Sequence, residues 1–139
     1  MPSNPQGHTQ NKEMKDVPID EELWRECLAV VPHGDIWRGD LPKFWGIVDG
    51  DIKVFVVDAN RIMVEHDMDF CQGGNGVEDP DLCGKKEIYL DNRVILKDLP
   101  FDCYHEAFER RAMLAGDNYD KAHDKANAQE ITLRRRAMR

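Results

Sequence analysis

No two of the four cysteines, Cys27, Cys71, Cys83 and Cys103, stand at CxxC spacing, which removes the usual zinc knuckle. Cys71 and Cys83 flank a Gly-rich loop, where pairing or metal binding is the alternative to two free thiols. No apolar run approaches the roughly 20 residues that cross a bilayer, and no export signal is visible. The expectation is a cytoplasmic protein whose thiols stay reduced. Positive charge is also scarce: 19 Lys and Arg stand against 27 Asp and Glu, a net charge of -8. An acidic body argues against general binding to a nucleic-acid backbone. The exception is the C-terminal tail, with Arg134, Arg135, Arg136 and Arg139; without those four charges the rest of the chain stands at -12. Such a tail either touches an acidic partner or nucleic acid, or complements the negative end of a helix dipole.

What is present fits one globular domain. Hydrophobic residues make up 41% and charged residues 33% of 139 positions. A chain of this length builds a core without staples, so a metal site in it would serve function rather than folding. Residues 1–17 are polar and rich in Pro, Gly, Asn and Gln, and read as a disordered leader in which His8 is inert. Residues 18–139 read as the folded domain.

Asp20 caps a short helix whose Leu23, Trp24, Cys27, Leu28 and Val31 share one apolar face, ended by Pro32, His33 and Gly34. Residues 44–48 and 52–57 flank Asp49-Gly50, a strong hairpin signal. Asp58 to Arg61 reads as a second turn. Residues 61–70 alternate, with Ile62, Val64, His66, Met68 and Phe70 on one face, and predict a half-exposed strand. Residues 71–86 hold four glycines and read as a loop, followed by a short strand at 87–91. Residues 101–115 form a helix that Gly116 stops, and Asp117 or Asn118 caps a second helix through residue 136. Trp24, Trp37, Phe44 and Trp45 read as core. The fold class is α+β: an N-terminal helix, a small antiparallel sheet and a C-terminal pair of packed helices.

The C-terminal helices carry the chemistry. His105 and Glu109 are four apart and share a face, so both can grip one ion. The next helix presents His123, with Asp120 one turn before it and Glu130 further along. Folding one helix on the other brings two imidazoles and a carboxylate together, with a fourth position open, as in catalytic zinc sites. One zinc per chain is expected. Glu106 points about 100° away around the helix and is the candidate general base. Glu130 or Asp120 would orient His123, and Glu130 is also an alternative ligand to Glu109. Tyr119 is a candidate oxyanion stabiliser, with packing against the first helix as the plainer role. His66 is either a further ligand or a packed strand residue, and His33 a turn residue.

The run His105-Glu106-Ala107-Phe108-Glu109 resembles the HExxH motif of zincin metallopeptidases, with Glu in place of the second His and His123 where one large zincin group has Glu. The stretch from Phe70 to Glu130 also resembles small uncharacterised proteins of bacteriophages and mobile elements. The shared features are Gly73-Gly74-Asn75, the strand 87–91, His105 to Arg110, Met113, Gly116 and the run from Tyr119 to Glu130. These resemblances imply a zincin-like centre in a phage or mobile-element protein (hence a host cytoplasm), acting on a peptide or protein. They also imply that the strand at 87–91 edges the cleft and pairs with substrate. Taken singly, each His and Glu reads as an ordinary helix-surface ion pair. The alternative function is a non-catalytic metal- or partner-binding protein, a degenerate zincin engaging a host or virion protein. A third reading is a two-metal carboxylate site using Glu106, Glu109, Asp120 and Glu130 with both histidines.

Overall fold

The computed structural model describes residues 17–66, 70 and 72–139. The expected leader lies outside these residues except for Val17, as does Cys71. The first helix, α1 (Glu21–Val30), starts where expected: the Asp20 side chain accepts from the Leu23 amide at 3.0 Å. Leu23 and Cys27 are buried from its apolar face, each burial of a large aliphatic chain stabilising by roughly 1.5–3 kcal/mol. The chain turns extended at Val31, before Pro32.

The hairpin follows, as β1 (Lys43–Val48) and β2 (Ile52–Val57). Asp49 and Gly50 both take positive φ, 51° and 88°, in a three-residue loop that Asp51 completes between the paired Val48 and Ile52. A bulge between Phe44 and Gly46 bends β1. Phe44, expected in the core, is 46% exposed on this outer strand.

The next segment departs from expectation. Ala59–Glu65 is a helix, α2, not part of a strand. The Asp58 carboxylate accepts from the Arg61 amide and so caps a helix where a turn was predicted. Ala59 and Ile62, three apart, are buried, whereas Val64, placed on the same face by the strand reading, is 82% exposed. The residues 71–86, read as loop throughout, contain a three-residue strand, β3 (Gly73–Asn75). It pairs antiparallel with β4 (Glu87–Asp91).

The sheet is therefore mixed rather than antiparallel. Its order is β1-β2-β4-β3, and β2 runs parallel to β4. A parallel pair requires a crossover, and α2 with the Gly-rich segment provides it. One face of the sheet, with Ile52, Val54, Ile88 and Leu90, packs under the helices and forms the main core. The other face carries Phe55 and Tyr89 beside a smaller cluster of Val57, Ala59, Ile62 and Phe70.

A single 3-10 turn (Leu96–Asp98) leads into α3 (Leu99–Leu114), with Pro100 in its first turn. Gly116, at φ 115°, reverses the chain. Asn118 caps α4 (Tyr119–Ala137) by accepting from the Lys121 amide. Ala107, Ala122 and Ala126 are fully buried, which lets the two helices approach closely. Tyr104 joins three elements: its hydroxyl accepts from the Asp20 amide at 3.1 Å and donates to Gln129 Oε1 at 2.7 Å. No helix among the described residues is long and apolar enough to cross a membrane.

The basic tail is partly neutralised by its own chain. Arg134 Nε donates to Glu130 Oε2 at 2.8 Å, and both terminal nitrogens of Arg136 bond the Glu21 carboxylate. Arg134, Arg135 and Arg136 sit in the last turn of α4, where positive charge complements the helix dipole.

Candidate metal centre

The α3–α4 pairing brings His105, Glu109 and His123 together. His105 Nε2 lies 3.2 Å from Glu109 Oε2 and 3.3 Å from His123 Nδ1, and His123 Nδ1 lies 2.9 Å from the same Glu109 oxygen. Donors about 2.0–2.2 Å from a tetrahedral ion sit about 3.3 Å apart, so the three edges approach one face of such a tetrahedron. Among the described residues this is the one His, Cys, Asp and Glu group with converging donor atoms that can hold a metal ion. The two-metal alternative lacks one of its carboxylates: Asp120 is exposed and outside the group.

Two of the three donors are held from behind. His105 and Glu109 are 7% and 3% exposed. His105 Nδ1 lies 2.9 Å from Glu130 Oε1, so Glu130 orients His105, not His123 as the sequence suggested. Arg134 in turn grips the other Glu130 oxygen, completing a chain from guanidinium to imidazole. A carboxylate behind a ligating imidazole fixes its tautomer and raises its basicity. His123 is more open; the Tyr119 ring stacks on it with centroids 5.3 Å apart, and the Tyr119 hydroxyl lies 3.4 Å from His123 Nδ1. Asp120, the other expected orienting residue, does not line the cleft.

Asn75 was not singled out as a site residue by the sequence. It is fully buried, and its Nδ2 donates to Glu106 Oε1 at 3.0 Å and to Glu109 Oε1 at 3.2 Å. Its Oδ1 accepts from the amides of Val77 and Glu78, which fixes which end of the amide faces the glutamates. Glu109 thus has Oε1 tied to Asn75 and Oε2 turned toward both imidazoles. Gly73 belongs to the same wall: a Cβ there would stand 3.1 Å from the Tyr89 carbonyl and 3.2 Å from Glu106 Cγ. Nothing in spacing links residue 75 to residues 106 and 109. Only the pairing of β3 with β4 beneath α3 does so.

The charges follow from this packing. Burial and the neighbouring Glu109 charge push the Glu106 carboxyl up to about 8. Burial opposes the charged form of His105, but its bonds to Glu109 and Glu130 outweigh it and raise the imidazole to about 10. Burial likewise opposes ionisation of Glu109, yet the two imidazoles hold its pKa below the usual carboxylate range. Burial, with the Glu109 and Glu78 charges, raises Tyr119 to about 12. The Asp102 carboxyl is pushed up to about 7 by burial and by Glu130.

The group opens onto a cleft of about 420 Å³, walled by β3, the Gly-rich segment and the two helices. Glu106 and Tyr119 line it; His66 and Cys83 do not. His66 sits at the end of α2, and Cys83 is a buried free thiol. The strand at 87–91 has a different place from the one the zincin resemblance implies. β4 is paired on both sides, by β2 and β3, so it offers no edge; the edge strand at the cleft is β3. No family model, no curated protein and no solved structure matches this chain.

Proposed function

We propose that this chain is a zincin-like, zinc-dependent hydrolase that cleaves peptides. The observation that carries the reading is the convergence of three donor atoms at tetrahedral spacing beside a glutamic acid, at the wall of an open cleft. Two imidazoles and one carboxylate fit zinc, and a divalent ion there supplies Lewis acidity and lowers the pKa of water toward neutrality. Glu109 would hold the ion through Oε2, since Asn75 already occupies Oε1. Glu106, beside His105 and held by Asn75, takes a proton from the attacking water and passes it to the leaving amine. A raised carboxyl pKa suits that exchange near neutral pH. Tyr119, stacked on His123 at the cleft wall, is the donor available to a developing oxyanion. β3 ends the strand order beside the cleft, and it is the edge that an extended peptide would join. The resemblance to phage and mobile-element proteins adds that setting, with a host or virion protein as substrate.

The competing reading is a degenerate zincin that binds metal or a partner without cutting. The Glu in place of the motif's second His favours it, because an anionic ligand weakens the metal as a Lewis acid. Hydrolysis of a peptide library by the zinc-loaded protein separates the two. The hydrolase reading requires cleavage that Glu106→Gln lowers by about 10²–10⁴-fold while metal stays bound. Cleavage insensitive to that substitution, or none by the wild-type protein, counts against it.

A further inference from the structure

We propose that Asn127 holds the substrate's backbone in the cleft, by pairing with the N–H and C=O of one extended residue; that the ligand is a peptide rests on the hydrolase reading above. His123, Asn127 and Glu130 recur at spacings of four and three on α4, and all three line the cleft. Asn127 therefore stands one turn, about 6 Å, beyond His123 on the same stripe. The other two members of the stripe have internal partners: His123 meets Glu109, and Glu130 holds His105 and Arg134. The Asn127 carboxamide makes no hydrogen bond among the described residues. It is half-buried, yet neither of its polar atoms is sealed off; the sealed side-chain atoms without a partner are Trp45 Nε1 and Asp102 Oδ2. Both ends of the amide therefore stay accessible in the cleft wall. Folding gives no reason for this residue. Asn is a poorer helix former than Ala, and this one neither caps an end of α4 nor bonds back to the chain.

The chemistry of a carboxamide says what it takes. An ionised carboxylate only accepts, and an ammonium or guanidinium only donates; a carboxamide does both, with one oxygen and two N–H groups. Its match is a neutral group that presents a donor and an acceptor side by side. An extended peptide residue does so: its own N–H and C=O point to the same side, as in the paired residues of an antiparallel ladder. Successive residues alternate. A peptide lying along β3 spends the backbone groups of every second residue on that strand and leaves those of the residues between unpaired. Unpaired backbone groups withdrawn from water cost free energy, so a second partner is needed where the cleft covers them. β3 and α4 both wall the cleft, and Asn127 is the α4 carboxamide in that wall. Gln72 is the other carboxamide of the lining, but it is exposed and stands just before β3. Asn127 is fixed on a helix, one turn from a candidate metal ligand. Pairing of this kind reads backbone and leaves the substrate's side chains to other contacts.

The test uses the full-length zinc-loaded chain, with Glu106→Gln to prevent turnover. The probe is N-acetyl-alanyl-alanyl-leucyl-alanyl-alanine amide, with a set of analogues that each carry one N-methyl group on a single backbone nitrogen. Affinities are read by calorimetry. Adding Asn127→Ala should weaken binding of the parent peptide about ten-fold, for two neutral hydrogen bonds lost. Ala is the better helix former, so the substitution does not endanger α4. Zinc content should stay unchanged, since Asn127 is not one of the three converging donors. One N-methyl position should weaken binding when Asn127 is present and cost nothing further in Asn127→Ala, whereas positions paired with β3 should cost the same in both proteins. Equal affinity of the two proteins for the parent peptide overturns the proposal. So does an identical pattern of N-methyl costs in both, or no detectable binding of any probe. If the protein takes up no zinc yet shows the position-specific coupling, the hydrolase reading fails and the backbone contact stands. If the zinc-loaded wild type cleaves peptides and the coupling is absent, the backbone contact fails and the hydrolase reading stands.

Discussion

The side-chain amide of Asn75 donates to Glu106 Oε1 at 3.0 Å, and the same nitrogen reaches Glu109 Oε1 at 3.2 Å. One buried donor therefore sets the candidate base and one candidate ligand in fixed relation. Replacing Asn75 with Ala leaves the buried Glu106 and Glu109 side chains without that shared donor. The expected cost is about 1–3 kcal/mol of stability in the metal-free protein, read by urea denaturation. A loss of metal affinity should accompany it, because Glu109 Oε1 is no longer restrained. An Ala variant as stable and as metal-avid as the wild type would remove Asn75 from this role.

Glu130 acts on His105 from behind, at 2.9 Å from Nδ1. Glu130→Ala should weaken metal binding about 10–100-fold, since the imidazole loses the carboxylate that fixes its tautomer. Competition against a chelator of known affinity reads this directly. Asp120→Ala is the control. Asp120 is exposed and away from the cleft, so its removal should leave metal affinity unchanged.

How the sequence foretold these elements depends on the range of their interactions. Helix α1, the Asp49-Gly50 hairpin and the two C-terminal helices rest on local signals: caps, turn residues and one apolar stripe. His105, Glu109 and His123 were legible because helical spacing and a short connection place them together. The segment from Arg61 was misread because Ile62 and Val64 satisfy a period of two. The Asp58 cap and the buried Ala59–Ile62 pair at helical spacing decide for α2 instead. β3 escaped because Gly73, Gly74 and Asn75 have no strand propensity of their own; their conformation comes from pairing with Tyr89 and its neighbours. The parallel β2–β4 pair and the role of Asn75 arise from contacts distant in sequence, which no local pattern encodes.

Asp102 makes a prediction with a definite sign. Its carboxyl goes from an ordinary value of 3.8 up to about 7 on folding, driven first by burial and then by Glu130. Between those values the folded state holds a proton that the unfolded state has released, so rising pH favours unfolding through this group. Asn carries no such penalty. In chelator-treated protein, Asp102→Asn should match the wild type near pH 4 and exceed it by at least ~1 kcal/mol at pH 7 and above. Denaturation curves across that range check it. A variant less stable than wild type at pH 7 contradicts the reading of Asp102 as a buried acid whose Oδ2 lacks a donor.

Tyr104 tests the scaffold apart from the site. Its hydroxyl is the donor to the buried Gln129 Oε1 and an acceptor for the Asp20 amide at the start of α1. Tyr104→Phe should cost about 1–3 kcal/mol, measured by thermal or chemical unfolding, because it leaves a buried amide oxygen without its donor. Metal content should not change, since none of the three converging donors touches that hydroxyl.

Elemental analysis of protein purified without chelator bears most directly on the central claim. The account predicts one zinc per chain in the wild type and in Glu106→Gln, and essentially none in His105→Ala or His123→Ala. A wild-type protein without stoichiometric metal, or zinc retained in full by both histidine variants, would contradict a metal centre built from His105, Glu109 and His123.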